Sequence, residues 1–109
     1  MEAETAPSEI VWWPAAGSPP EPGTPIVVAV DGTDVAVATV AGRIVAFDDT
    51  CTHRMCPLSE GVLDEISVTC PCHKSRFELA TGRPLNGPAT EPIRVRRVSF
   101  DGTQLLIER

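Results

Sequence analysis

"CTHRMC" at residues 51–56 and "CPCHKS" at residues 70–75 hold all four cysteines and both histidines of this 109-residue chain. The pattern is Cys51-x-His53, sixteen intervening residues, then Cys70-x-x-His73. Each box therefore offers one thiolate and one imidazole from a short turn, and two such turns can face each other. The boxes also interrupt a run of short apolar segments, so their reading decides the fold. On either side the chain reads as strands; between them it has to bend around something.

Tetrahedral iron in a [2Fe–2S] cluster needs two protein ligands per iron besides the bridging sulfides, and two cysteines with two histidines meet that need. Structural zinc takes the same ligand types, as Cys2His2 or Cys3His. Its usual spacing, however, puts two cysteines in one turn and two histidines in another; here each turn mixes both. A papain-like Cys–His nucleophile would need one such pair, not two. The mixed-ligand cluster is the expected centre, with structural zinc as the alternative.

The length suits one domain with a real core, expected over residues 1–109, and a 42% hydrophobic content excludes wholesale disorder. Fifteen Asp and Glu against nine Lys and Arg give a net charge of −6. That balance argues against nucleic-acid or anionic-membrane partners, which attract basic surfaces. It suits either docking onto a basic partner or a plain solubility surface. No stretch approaches the roughly 18 apolar residues of a spanning helix. "MEAETAPSEIVWW" (1–13) lacks the basic start and apolar run of a secretory signal, so a cytoplasmic location is expected.

Eight glycines and eleven prolines are spread along the chain, and no stripe at helical period is visible. "AAGSPPEPGTP" (15–25) reads as a loop. "IVVAV" (26–30), "DVAVATV" (34–40) and "RIVAF" (43–47) read as antiparallel strands joined by tight turns at "DGTD" (31–34) and "AGR" (41–43). Strands are expected again at "IRVRRVSF" (93–100) and "TQLLIE" (103–108), with the alternation slipping at Arg97 at a bulge or strand end. Trp12 and Trp13 are expected to serve the core or its edge. The fold class is all-β, with a loop-built subdomain inserted over about residues 48–92.

With these residues in place, the chain resembles the Rieske-type [2Fe–2S] ferredoxins. The two boxes carry the resemblance directly. "CPLSEG" (56–61), "SRFELATG" (75–82) and "NGPAT" (86–90) extend it, the last as the proline loop containing Pro88 that covers the cluster in the family. The resemblance implies an antiparallel β-sandwich or barrel, with Cys51 and Cys70 on one iron and His53 and His73 on the other. In the family's high-potential branch, cysteines at the positions of Cys56 and Cys72 form a disulfide clamping the two loops. That pairing is expected here, with two buried thiols as the alternative that a reducing cytosol favours.

The resemblance also implies second-layer roles. A hydroxyl at Ser75 is placed to donate to a bridging sulfide, raising the potential. High-potential members carry a tyrosine where this chain has Phe77, and this chain has no tyrosine at all. A potential between those of oxygenase ferredoxins and quinol-oxidising complexes is therefore expected. Met55 and Lys74 stand where many members have small residues, often glycine; if those turns need positive φ, the side chains strain them.

Two ferric ions, two sulfides and two thiolates sum formally to zero charge, so the mixed site takes up an electron more readily than a four-thiolate one. The expected function is a soluble one-electron carrier between a reductase and a terminal oxygenase or other redox enzyme. The alternative is a small redox subunit of a larger oxidoreductase, of the nitrite reductase or arsenite oxidase kind. No nucleotide fingerprint is present. A mononuclear iron site would need two further histidines, so the chain itself is not expected to be an enzyme.

Overall fold

The computed structural model describes residues 10–15, 17–52, 56–72 and 74–109. Among these residues, ten strands form three antiparallel sheets. The four-stranded sheet has the order β2 (Ile26–Val30), β3 (Thr33–Val40), β4 (Arg43–Asp48), β8 (Val95–Arg96). A second joins β1 (Trp12–Pro14), β10 (Leu105–Glu108) and β9 (Val98–Phe100). The third, β5 (Val62–Leu63), β6 (Ser67–Thr69) and β7 (Arg76–Glu78), lies in the insertion.

The first two hairpins follow from their turns. Asp31 and Gly32 sit at φ 50° and 86°, and Ala41 and Gly42 at 51° and 80°. Two consecutive left-handed residues make the two-residue turn whose twist matches the flanking strands. The register follows, with Val30 opposite Thr33 and Val40 opposite Arg43.

β3 explains why the chain reads as a nearly unbroken apolar run. Ala36, Ala38 and Val40 point into one core, with Phe47, Leu58, Val68, Phe77, Cys51 and Cys70. Val35 and Val37 point into the other, with Val30, Ala46, Leu105 and Ile107. The four-stranded sheet is thus a middle layer buried on both faces, which demands apolar side chains at successive positions. Full burial of Phe47 alone is worth about 1.5–3 kcal/mol.

The slip in alternation at Arg97 is where the chain changes sheets: β8 pairs with β4, and β9 with β10. Arg96, 5% exposed, joins the two layers, donating from Nε to Asp48 Oδ1 and from Nη1 to the Glu108 carbonyl at 2.9 Å. Pairing begins at Val95, not at Ile93 as the sequence suggested, because Ile93 turns to bond Gly82 instead. The short strand β1 has too little alternation to announce itself. It places Trp13 against the second core and leaves Trp12 39% exposed at the edge. The insertion holds more than loops: it carries the β5–β7 sheet and a 3-10 turn at Leu58–Glu60.

Candidate metal centre

The two cysteine boxes are closed by matching backbone bonds. The Cys51 N–H bonds the Cys56 carbonyl at 2.9 Å, and the Cys70 N–H bonds the Ser75 carbonyl at 2.8 Å. Each turn therefore spans six residues and opens with a fully buried cysteine. The first hangs from the end of β4 and is closed by a bridge between Thr50 and Pro57. Its root is set by Asp49, 6% exposed, whose carboxylate accepts from the Ser59 N–H at 2.7 Å and the Ser59 hydroxyl at 3.1 Å. The second turn caps the β6–β7 hairpin, where Thr69 pairs with Arg76.

Cys56 and Cys72 are joined by a disulfide with Cα atoms 6.4 Å apart, which ties one turn to the other. The expected pairing is the one formed. The Cys70 sulfur lies beside it, the three sulfurs of Cys56, Cys70 and Cys72 falling within 4.8 Å of one another. Cys51 and Cys70 are the two cysteines outside that bond, one from each turn.

A third loop, residues 85–92, closes over the same end. The Leu85 N–H bonds the Arg76 carbonyl at 2.7 Å, and the Arg76 N–H bonds Asn86 Oδ1 at 2.7 Å. The Ala89 N–H donates to the Ser75 hydroxyl at 3.0 Å, and the Thr52 hydroxyl donates to the Glu91 carbonyl at 2.8 Å. Pro88, following a cis peptide, lies exposed at its tip. Sequence reasoning named Pro88 and Ser75 but missed Asn86 and Thr52, whose roles depend on contacts between loops far apart in sequence.

Other expected residues are placed as follows. Phe77 is fully buried on β7, opposite Val68 and in the same core as Cys51 and Cys70. Lys74 has φ 66°, the left-handed backbone that a glycine would take without strain, and its side chain is exposed. His53, Met55 and His73 lie outside the described residues.

The donors fit a sulfide-bridged cluster. Soft thiol ligands are buried, one per turn, and the turns are pinned from three sides. Ser75 adds a further sign: its oxygen is fully buried and takes the Ala89 N–H, yet its own proton has no acceptor among the described residues. A buried hydroxyl proton needs one, and a cluster sulfide would be one.

Two titrating turns mark the edges of these regions. The Asp64 carboxyl in the β5–β6 turn is held below its ordinary value, first by the Ile66 N–H and then by Ser67 and Arg76, against the opposing cost of burial. Asp101 in the β9–β10 turn is lowered likewise, by the Gln104 and Thr103 N–H groups. Both are local turn carboxylates, remote in role from the cysteines.

The model of the Rieske [2Fe–2S] domain family matches residues 12–99. The ferredoxin component of the naphthalene 1,2-dioxygenase system of Pseudomonas aeruginosa is 36% identical over 86 residues, 79% of this chain and 83% of that protein. The ferredoxin of carbazole 1,9a-dioxygenase from Nocardioides aromaticivorans superposes with a TM-score of 0.79 at 31% identity, over 88% of this chain and 97% of that one. A chain in a complex of reduced oxygenase and oxidized ferredoxin in carbazole 1,9a-dioxygenase matches at a TM-score of 0.78 and 34% identity, over 92% and 94% of the two chains. Among the described residues, no helix is long and apolar enough to cross a membrane. The matched turns, their buried cysteines and these likenesses agree: the chain belongs to the Rieske [2Fe–2S] domain family.

Proposed function

We propose that this chain is a ferredoxin that carries single electrons from a reductase to a terminal oxygenase, as one redox domain over residues 1–109. The observation that carries the reading is the clamped pair of six-residue turns, each presenting a buried cysteine, in a chain whose fold overlies 97% of a dioxygenase ferredoxin. The middle sheet, shared by both cores, supports treating the whole chain as one domain.

In this reading Cys51 and Cys70 hold one iron, and His53 and His73 the other. When bound, a [2Fe–2S] group with two thiolate and two imidazole ligands takes up and gives back one electron, at about −150 to +300 mV for such centres. The protein's own work is positional. The disulfide and the Asn86 and Thr52 bonds hold three loops in one arrangement, so little has to move when charge changes. The buried Ser75 hydroxyl, its oxygen taken by the Ala89 N–H, leaves its proton for a sulfide, and Phe77, Leu58 and Val68 exclude water from the cysteine side.

A cytoplasmic location is part of the same proposal. It would put the Cys56–Cys72 bond in reducing surroundings, and Cys72 is exposed enough to meet them.

Reconstitution tests the carrier role. The holoprotein is added to the reductase and terminal oxygenase of a carbazole dioxygenase whose own ferredoxin is left out. Product formation that depends on the added chain is expected. Co-purification of the chain from its host in fixed ratio with a larger oxidoreductase, surviving gel filtration at moderate salt, would favour a permanent subunit instead.

A further inference from the structure

Lys74 is the single lysine of a chain whose net charge is −6. It sits in the second cysteine turn, with its N–H on the Cys70 carbonyl at 3.1 Å. Its backbone, at φ 66°, takes a conformation that suits glycine. Among the described residues, the other two non-glycine residues with positive φ, Asp31 and Ala41, are short side chains in two-residue hairpin turns that require it. Lys74 has a long side chain, and it gains nothing visible in return: it is exposed, with no ion pair or side-chain hydrogen bond among the described residues. A local rule broken without a packing return points to function.

The surroundings say which function. The turn rises at the cluster end, beside exposed Cys72, and the third loop adds exposed Leu85 (41%) and Pro88. In sequence Lys74 directly follows His73, and Arg54 likewise follows His53. The end of the molecule that bears the cysteine turns thus presents a cation beside Leu85 and Pro88, with Glu91 the one exposed acid of the same loop, on a protein whose net charge is −6.

We propose that Lys74 makes the cluster end a docking face for an acidic surface, the redox partner offering carboxylates set among apolar groups at its own electron port. The inference rests on the carrier reading above and deepens it. Overall charge would favour a basic partner; the port itself selects the opposite sign. Opposite charges at the port speed productive encounter and fix its orientation, and like charges there suppress the wrong partner.

The test uses the reduced holoprotein and two one-electron oxidants of opposite charge, ferricyanide and tris(phenanthroline)cobalt(III). One electron leaves the protein and converts ferricyanide to ferrocyanide, or cobalt(III) to cobalt(II). At low ionic strength, Lys74→Glu should slow oxidation by ferricyanide roughly tenfold and speed oxidation by the cobalt complex by a similar factor. Lys74→Arg should behave as wild type. Arg97→Glu, the same charge change on an exposed frame residue, should have a much smaller effect on both. A loosened turn would shift both reagents in one direction, so opposite shifts identify charge at the port. If Lys74→Glu does no more than Arg97→Glu, the inference falls and the carrier reading stands. If neither oxidant takes an electron from the wild-type protein, both fall.

Discussion

The β frame and the cysteine-bearing insertion are held together by different means. In the frame, β2, β3 and β4 zip through regular pairing across two-residue turns, and side chains alternate between two apolar cores. In the insertion, three strands of two or three residues carry little pairing of their own. Side chains do the fastening there: Asp49 to Ser59, Ser75 to Ala89, Arg76 to Asn86, and the disulfide. Both bury apolar area, the insertion through Leu58, Val68, Phe77 and Leu79 in the core it shares with β3, but the insertion depends besides on a few specific bonds and on what its cysteines hold. Losses in the frame should therefore be graded, and losses in the insertion abrupt.

The largest expected effect tests that directly. Cys70→Ser should abolish bound iron and visible colour, measured by metal analysis and absorbance. Leu105→Ala, in the core that holds no cysteine, should cost about 2–5 kcal/mol in denaturant unfolding while the folded fraction keeps its iron. A colourless Leu105→Ala protein that is still folded would break the distinction.

Glycines sharpen it. A Cβ at Gly82 (φ 83°) would lie 2.0 Å from the Ile93 carbonyl oxygen, where the insertion returns to the frame. Gly82→Ala should cost about 3 kcal/mol, left-handed strain plus overpacking. At Gly32 (φ 86°) nothing lies within 4 Å, so Gly32→Ala should cost only the strain, about 1–2 kcal/mol. Equal losses in urea titrations would contradict the close approach.

Next comes the clamp. Reducing Cys56–Cys72, bridging a separation of 16 residues, should remove up to about 3 kcal/mol. Hydrogen exchange should quicken within residues 49–92 and stay unchanged in β3 and β10. Uniform quickening would mean that the two regions unfold together.

What the sequence made legible divides along the same line. β2 to β4 could be placed because β-branched runs alternate with left-handed turn residues, and Arg97 could be singled out because alternation fails where the chain changes layer. β1 was missed because three residues ending in proline show no period. β5 to β7 were missed because strands that short are defined by their partners. The pairing of Cys56 with Cys72, and so the setting aside of Cys51 and Cys70, was legible through the family resemblance. Asn86 and Thr52 were not, since a side chain that bonds a distant loop leaves no mark at fixed spacing.

Phe77→Tyr is a smaller probe. Phe77 is buried with Cys51 and Cys70, so a hydroxyl there has to find a sulfur or remain unpaired. A raised midpoint with stability kept is expected. An unchanged midpoint with about 1–3 kcal/mol lost would show a stranded hydroxyl instead.

The smallest effect is acid sensitivity. Asp64 and Asp101 both have lowered pKa values in the fold. Their stabilisation is therefore present above the ordinary carboxylate value and lost as pH falls through the folded one. The contribution of these two groups should fall off only below about pH 4, and Asp64→Asn and Asp101→Asn should each flatten the slope there slightly.

The most direct measurement is a redox titration of the purified protein near neutral pH, followed by its visible absorbance. A single one-electron transition is expected, above but near the low end of the range of about −150 to +300 mV, because Ser75 and the disulfide are present and the tyrosine is not. A colourless protein loaded with zinc, or a clearly positive midpoint, would contradict the account of this chain as a carrier serving an oxygenase.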